Sequence, residues 1–148
     1  MNRTVSRLVG TVVVAASILG LSDPACAAAR PHKSSGTAQF VSPTEFVGAG
    51  RATHLGNYSE AGTVAFTPTG NPAVLNVVGT ITYTASDGSE LHAAVAGELN
   101  GATGAVSATV TYTGGTGRFA DATGSSCLTG QVQPDGSMTV AVRGTIDY

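Results

Sequence analysis

The sequence predicts an all-β chain that closes into a single antiparallel eight-stranded β-barrel. From Thr37 onward, apolar and polar residues alternate with a period of two. Gly, Asn, Pro and Asp interrupt that alternation at short intervals, leaving about eight strand-length runs joined mostly by tight turns. Thr, Gly, Val and Ala dominate this part of the chain while Leu, Lys and Glu are scarce, which is strand-and-turn composition. Up-and-down strands with one apolar face each bury that face by closing on themselves, which also removes exposed edges. A two-sheet sandwich is the alternative arrangement. At 148 residues there is chain for one domain.

Taken in order, the first three runs are short and cover residues 38–41, 47–55 and 62–67. Residues 73–85 put Leu75, Val77, Gly79, Ile81 and Tyr83 on one face against Val74, Asn76, Val78, Thr80 and Thr82. Asp87-Gly88 then reverses the chain, a strong hairpin signal. The return strand shows Leu91, Ala93, Val95, Gly97 and Leu99 opposite His92, Ala94, Ala96 and Glu98. After a turn at residues 100–104, Val106, Ala108, Val110 and Tyr112 form the next apolar face. A Gly-rich stretch through Gly124 leads to a strand over 127–132. Pro134-Asp135-Gly136 makes the last hairpin, and Met138, Val140, Val142, Gly144, Ile146 and Tyr148 line the final strand. Apolar residues never sustain the rhythm of a helix. Gly79, Gly97, Gly130 and Gly144 fall inside strands, as expected at barrel corners and bulges.

Residues 1–27 have the three-part plan of a secretory signal peptide: Arg3 and Arg7, an uncharged run over 8–21, then Ala25-Cys26-Ala27 as cleavage site. The run is too short to cross a bilayer as a helix, for which roughly 20 residues are needed. The expected organisation is a signal peptide at 1–27, a disordered arm at 28–36 and the barrel at 37–148. The mature protein is then secreted, extracellular or periplasmic, with five basic and eight acidic residues. That mildly acidic balance holds neither a nucleic acid nor an anionic membrane surface.

Two Cys make no disulfide scaffold and three scattered His make no metal site. Cleavage leaves Cys127 alone, either buried and inert or a reactive thiol. No Lys, Arg or His stands beside it in sequence, so the inert reading is expected. Gly115-Thr-Gly117-Arg-Phe-Ala120 matches a dinucleotide fingerprint by letter, but no helix follows to face a pyrophosphate. No cofactor is expected. Hydrolase and metalloprotease patterns are absent from the sequence. Arg51, Glu60, Arg143 and Asp147 fall on polar faces or turns and are expected to be solvated.

The stretch Thr113-Gly-Gly-Thr-Gly-Arg-Phe-Ala-Asp-Ala-Thr-Gly124 resembles the signature turn of the allene oxide cyclase and dirigent barrels. Gly50-Arg-Ala-Thr-His-Leu-Gly-Asn-Tyr58 resembles a segment of bacterial exported proteins with the same barrel. The resemblance implies an eight-stranded, calycin-type barrel in which Phe119 is an inward plug and Gly115, Gly117 and Gly124 serve the turn. It implies a homo-oligomer, trimer or dimer. It also implies handling of an apolar small molecule, by steering a ring closure or by holding radicals for stereospecific coupling. Thr123 stands where dirigent proteins often carry an Arg, a departure from that pattern.

The polar groups that could act in such a lumen are Tyr83, Tyr112 and Tyr148, all on the apolar parity, and His54, which shares parity with Phe46 and Ala52. A Tyr hydroxyl in a dry pocket orients an oxygen by hydrogen bonding, and a His moves a proton. Each also has a plainer role: the Tyr fill the barrel or sit at its rim, and His54 bonds backbone in a turn. With Phe119, these five are the ligand-binding candidates; no catalytic residue is assigned. The expected function is binding of an apolar small molecule in the lumen, with any reaction a cofactor-independent cyclisation or isomerisation. The alternative is a filled barrel acting as a structural or surface-interaction domain. N-terminal sequencing of the protein from its own host is expected to begin at Ala28; a chain still beginning at Met1 would refute export by cleavage.

Overall fold

The computed structural model describes residues 29–148. The signal-peptide expectation over 1–27 and residue 28 lie outside them. Eight strands follow in chain order: β1 (Arg30–Phe40), β2 (Glu45–Ala52), β3 (Gly56–Pro68), β4 (Val74–Ala85), β5 (Glu90–Asn100), β6 (Ala105–Gly115), β7 (Thr123–Val132) and β8 (Ser137–Asp147). Each pairs antiparallel with its sequence neighbours, and β1 pairs with β8 to close the barrel.

The turns joining β4 to β5, β5 to β6 and β7 to β8 form where the sequence places them. Residues 53–55, expected as the end of a strand over 47–55, are instead the β2–β3 turn, and residues 56–61, expected between strands, already belong to β3. In the β4–β5 hairpin, Gly88 takes a positive φ of 84° and the Asp87 carboxylate accepts the Ser89 amide at 3.0 Å. Asp135 and Gly136 repeat that arrangement before β8. Asn100 accepts the amides of Ala102 and Thr103 at the β5–β6 turn. These side chains substitute for ladder partners where the backbone leaves the sheet.

The inward faces of β4, β5, β6 and β8 are those the alternation predicts. Val77, Ile81, Leu91, Val95, Val110, Val142 and Ile146 are buried along them. Gly79, Gly97 and Gly144 sit at inward positions where a methyl group would strike the carbonyls of Thr63, Ser107 and Ser125 on the neighbouring strands. Strands this tightly coiled meet where only glycine fits.

Three further expectations about the chain's course and turns are corrected. Residues 30–36, expected as a disordered arm, are the first part of β1 and pair from Arg30↔Ile146 to Gly36↔Val140 with β8. They carry no apolar alternation because His32, Ser34 and Gly36 are the inward residues. Closure recruits them all the same, since otherwise the donors and acceptors along β8 would be unpaired. Cys127, expected to be buried, is exposed. Its neighbours Ser126 and Leu128 take the inward places, and Cys127 therefore points out, opposite Arg143 in the β7–β8 register. Gly115, assigned to the turn with Gly117 and Gly124, does not share their positive φ. It is needed instead for a close approach to the Glu90 carbonyl. The positive φ falls on Gly114, beside a β5–β6 register shift that leaves Thr113 without a partner.

One end of the barrel is shut by a single turn of 3₁₀ helix, η1 (Gly117–Phe119). Phe119 is fully buried, with its ring 4.9 Å from that of Tyr148, and Leu55, Leu91 and Ile146 are fully buried as well. Arg118 covers the outer face of Phe119 at 4.5 Å and donates to Asp87 at 2.9 Å, tying η1 to the β4–β5 hairpin. Phe119→Ala is expected to cost about 3–5 kcal/mol of stability in urea unfolding, because the emptied plug cannot collapse between fixed strands. A loss under about 1 kcal/mol would show that η1 does not seal this end.

Candidate functional site

The lumen is built in three layers. At the end opposite η1, the strands open into a chamber of 290 Å³ lined by Phe40, Phe46, Val64, Phe66, Leu99 and Met138 among others. The rings of Phe46 and Phe66 lie 6.1 and 6.3 Å from that of Phe40 and make one aromatic wall. Ser42 and Pro43 of the β1–β2 connection and Gly136 of the β7–β8 hairpin edge the opening.

Below the chamber lies a polar layer that sequence alternation did not find. Glu60 and Tyr58 on β3 both point inward; Glu60 is only 6% exposed. Both occupy space left by glycines. A methyl group on Gly48 would come within 2.7 Å of Glu60 Oε1, and one on Gly36 within 2.8 Å of the Tyr58 hydroxyl. Tyr83 is edge-on to Tyr58 at 5.4 Å. Across the lumen, the Tyr112 hydroxyl and Ser126 Oγ share a hydrogen bond of 2.9 Å. His32 stacks on His54 at 5.8 Å and meets the edge of Tyr112 at 5.5 Å.

The electrostatics of this layer follow from desolvation. Glu60 has no cation beside it: the two ion pairs among the described residues are His92–Glu90 and Arg118–Asp87. Burial alone lifts its carboxyl from 4.5 to about 7. Burial first, and then the electrostatic influence of the neighbouring His54, lowers His32 to about 4, so this imidazole stays neutral. Its Nδ1 is a fully buried polar atom without a hydrogen-bond partner among the described residues. Burial, then the Glu60 charge, pushes Tyr58 up to about 12, and the same two causes raise Tyr83 well above the phenol range. Tyr112 is raised by burial and drawn partly back by Ser126. At neutral pH the layer therefore offers hydroxyl donors and one carboxyl able to hold or release a proton.

The five candidates chosen from sequence lie in the polar layer and the closed end; none lines the chamber. Tyr83 and Tyr112 are buried in the polar layer. Phe119 is the plug. Tyr148 and His54 meet at the closed end. His54 Nε2 donates to the Pro31 carbonyl at 2.9 Å, which makes Nδ1 the acceptor of the Tyr148 hydroxyl at 3.1 Å. His54 thus bonds backbone in a turn and Tyr148 anchors it. Glu60, expected in solvent, is the main correction. Tyr58, Glu60, Gly62, Val64 and Phe66 share one parity, and the strand begins six residues before Gly62, where small residues hide the alternation. Against protein-family models, curated proteins and solved structures alike, the chain has no match.

Two opposing pH dependences follow. Glu60 holds its proton more tightly when folded, so its contribution to stability is complete below pH 4.5 and lost as pH rises through about 7. His32 resists protonation when folded, so its contribution is complete above pH 6.5 and lost as pH falls through about 4. Between about pH 4.5 and 6.5 the two slopes offset each other. In urea unfolding across this range, Glu60→Gln should gain stability relative to the wild type as pH rises. The gain should reach roughly 3 kcal/mol, because each pH unit between the unfolded and folded midpoints is worth about 1.4 kcal/mol. His32→Phe should instead lose stability relative to the wild type as pH rises. Parallel pH profiles for both variants would refute the assignment.

Proposed function

We propose that this barrel binds an apolar small molecule in its open chamber and constrains the conformation of that molecule by shape. The observation that carries the reading is the 290 Å³ chamber walled by Phe40, Phe46, Phe66 and aliphatic side chains. Small-molecule sites are concave, largely apolar and already formed, and this chamber stands at the small end of their usual range. The rigid, continuously paired wall suits the task, because a cavity that does not yield selects one folded form of a flexible guest.

The resemblance of the 113–124 turn to allene oxide cyclase and dirigent barrels supports the same reading and extends it to a steered cyclisation or coupling. Such a step needs no cofactor: the apolar wall takes the place of water around the guest and sets geometry, while the carboxyl and hydroxyls beneath it hold an oxygen or a proton. Secretion after cleavage near Ala27 and assembly as a trimer or dimer belong to this proposal. The competing reading, a non-catalytic structural barrel, is favoured by the filled closed end, where Phe119, Leu55, Leu91 and Ile146 keep almost no solvent-exposed surface.

Titration with an apolar naphthalene probe whose fluorescence rises on leaving water separates the two. Val64→Trp, which fills the chamber, should weaken probe binding at least about tenfold while leaving the unfolding midpoint near that of the wild type. Tyr112→Phe, below the chamber and bonded to Ser126, should leave probe affinity unchanged. Wild-type protein that takes up no probe would leave the structural reading.

A further inference from the structure

Resting on the reading of the chamber as a ligand site, we propose that its ligand is an amphiphilic amine: an apolar body in the chamber and a protonated nitrogen on the Glu60 carboxylate. Glu60 is more than nine-tenths buried, inward-facing, and free of any cationic partner among the described residues. A carboxylate in such a place is costly unless a cation or several donors meet it. Among the described residues, those surrounding it supply neither a Lys nor an Arg. β2 presents Gly48 and Gly50, β1 presents Gly36 and Ser34, and β4 presents Tyr83.

The barrel is cleared for this carboxylate rather than crowded against it. Gly48 leaves the space that Glu60 Oε1 fills, and Gly50 leaves the space under the Tyr58 hydroxyl. The position also adjoins the chamber along the strands. Gly48 and Tyr83, the register partners of Glu60, stand two residues beyond Phe46 and Ile81, which line the chamber floor. Two residues of strand span about 6.6 Å, the length of a short alkyl stem. Phe46 lies across Gly62 between the two compartments, so the stem must turn its ring edge aside to reach Glu60.

The interior therefore discriminates by charge. An ammonium gains a charge-assisted hydrogen bond to Glu60, with Tyr58 and Tyr83 beside it. A carboxylate head meets a like charge, and an alcohol gains only a neutral hydrogen bond. Below the midpoint of Glu60 the preference for the amine weakens, since the acid must first lose its proton. The titratable groups facing Glu60 are Tyr58, Tyr83 and, across the lumen, Tyr112; all three are raised and stay protonated through this range.

The test uses the full chain as purified from its host and three probes of equal length: n-octylamine, n-octanol and octanoate. By calorimetry at about pH 8, where Glu60 is ionised and the amine protonated, octylamine should bind at least about tenfold tighter than octanol, with octanoate weakest. Glu60→Gln should bring octylamine down to the octanol affinity and leave octanol unchanged. At about pH 6, octylamine binding to the wild type should release close to one proton and octanol none, as read from buffers of different ionisation enthalpy. That proton count decides the matter even if Glu60→Gln does not fold. Equal binding of amine and alcohol, or no proton release, overturns the amine assignment and leaves the chamber reading standing. Binding of none of the three removes the chamber reading, and the amine proposal with it.

Discussion

Space inside an eight-stranded barrel is the constraint on which the rest of the structure depends. Such a barrel is only just wide enough to be filled by its own side chains. The chain meets that limit with glycine on the inner wall. Gly36, Gly48, Gly50 and Gly62 strip side chains from β1, β2 and β3, and the vacated room is taken by Tyr58, Glu60 and Phe46 leaning across them. Gly79, Gly97 and Gly144 serve the other strands differently, by letting neighbouring backbones close together. A lumen walled by bulky residues throughout would have been a plain core. This one keeps a hollow end.

The distribution of polarity along the axis follows from how each end is shut. At the η1 end, Phe119 and its neighbours exclude water, and the few polar atoms there are matched, as in the chain Tyr148 to His54 to the Pro31 carbonyl. The middle is different. Glu60 and His32 are buried without charged partners among the described residues, and each is driven toward its neutral form chiefly by desolvation. Groups poised in that way lower stability unless something else uses them, and they are commonest where a protein binds or reacts. The hollow above, lined by Phe40, Phe46 and Phe66, is the part of the lumen that side chains leave unfilled.

Much of the fold is legible along the chain. Leu91, Ala93 and Val95, or Val140, Val142 and Ile146, announce an inner face because alternation is a local property of a strand with water on one side. The Asp-Gly turns are equally local, resting on one side chain and one positive φ. Residues 30–36 are not legible in that way. Their inward positions carry His32, Ser34 and Gly36, which have no apolar signature, and they are strand only because β8 lacks a partner without them. Glu60 is hidden for a related reason: the glycine on which it lies, Gly48, belongs to another strand.

The local pattern of residues therefore sets the period, the turns, the number of strands and the inner faces of β4, β5, β6 and β8. Each depends on residues within a few positions of one another. Only the assembled barrel sets which face Cys127 takes, that closure runs through a polar β1, and that Glu60 stands in the lumen below an apolar chamber. Those outcomes depend on pairings between strands distant in the chain and on the room one strand's glycines leave for another's side chains. Alternation carries no information about either, because it records what a residue's own strand turns toward water and not what stands across the lumen.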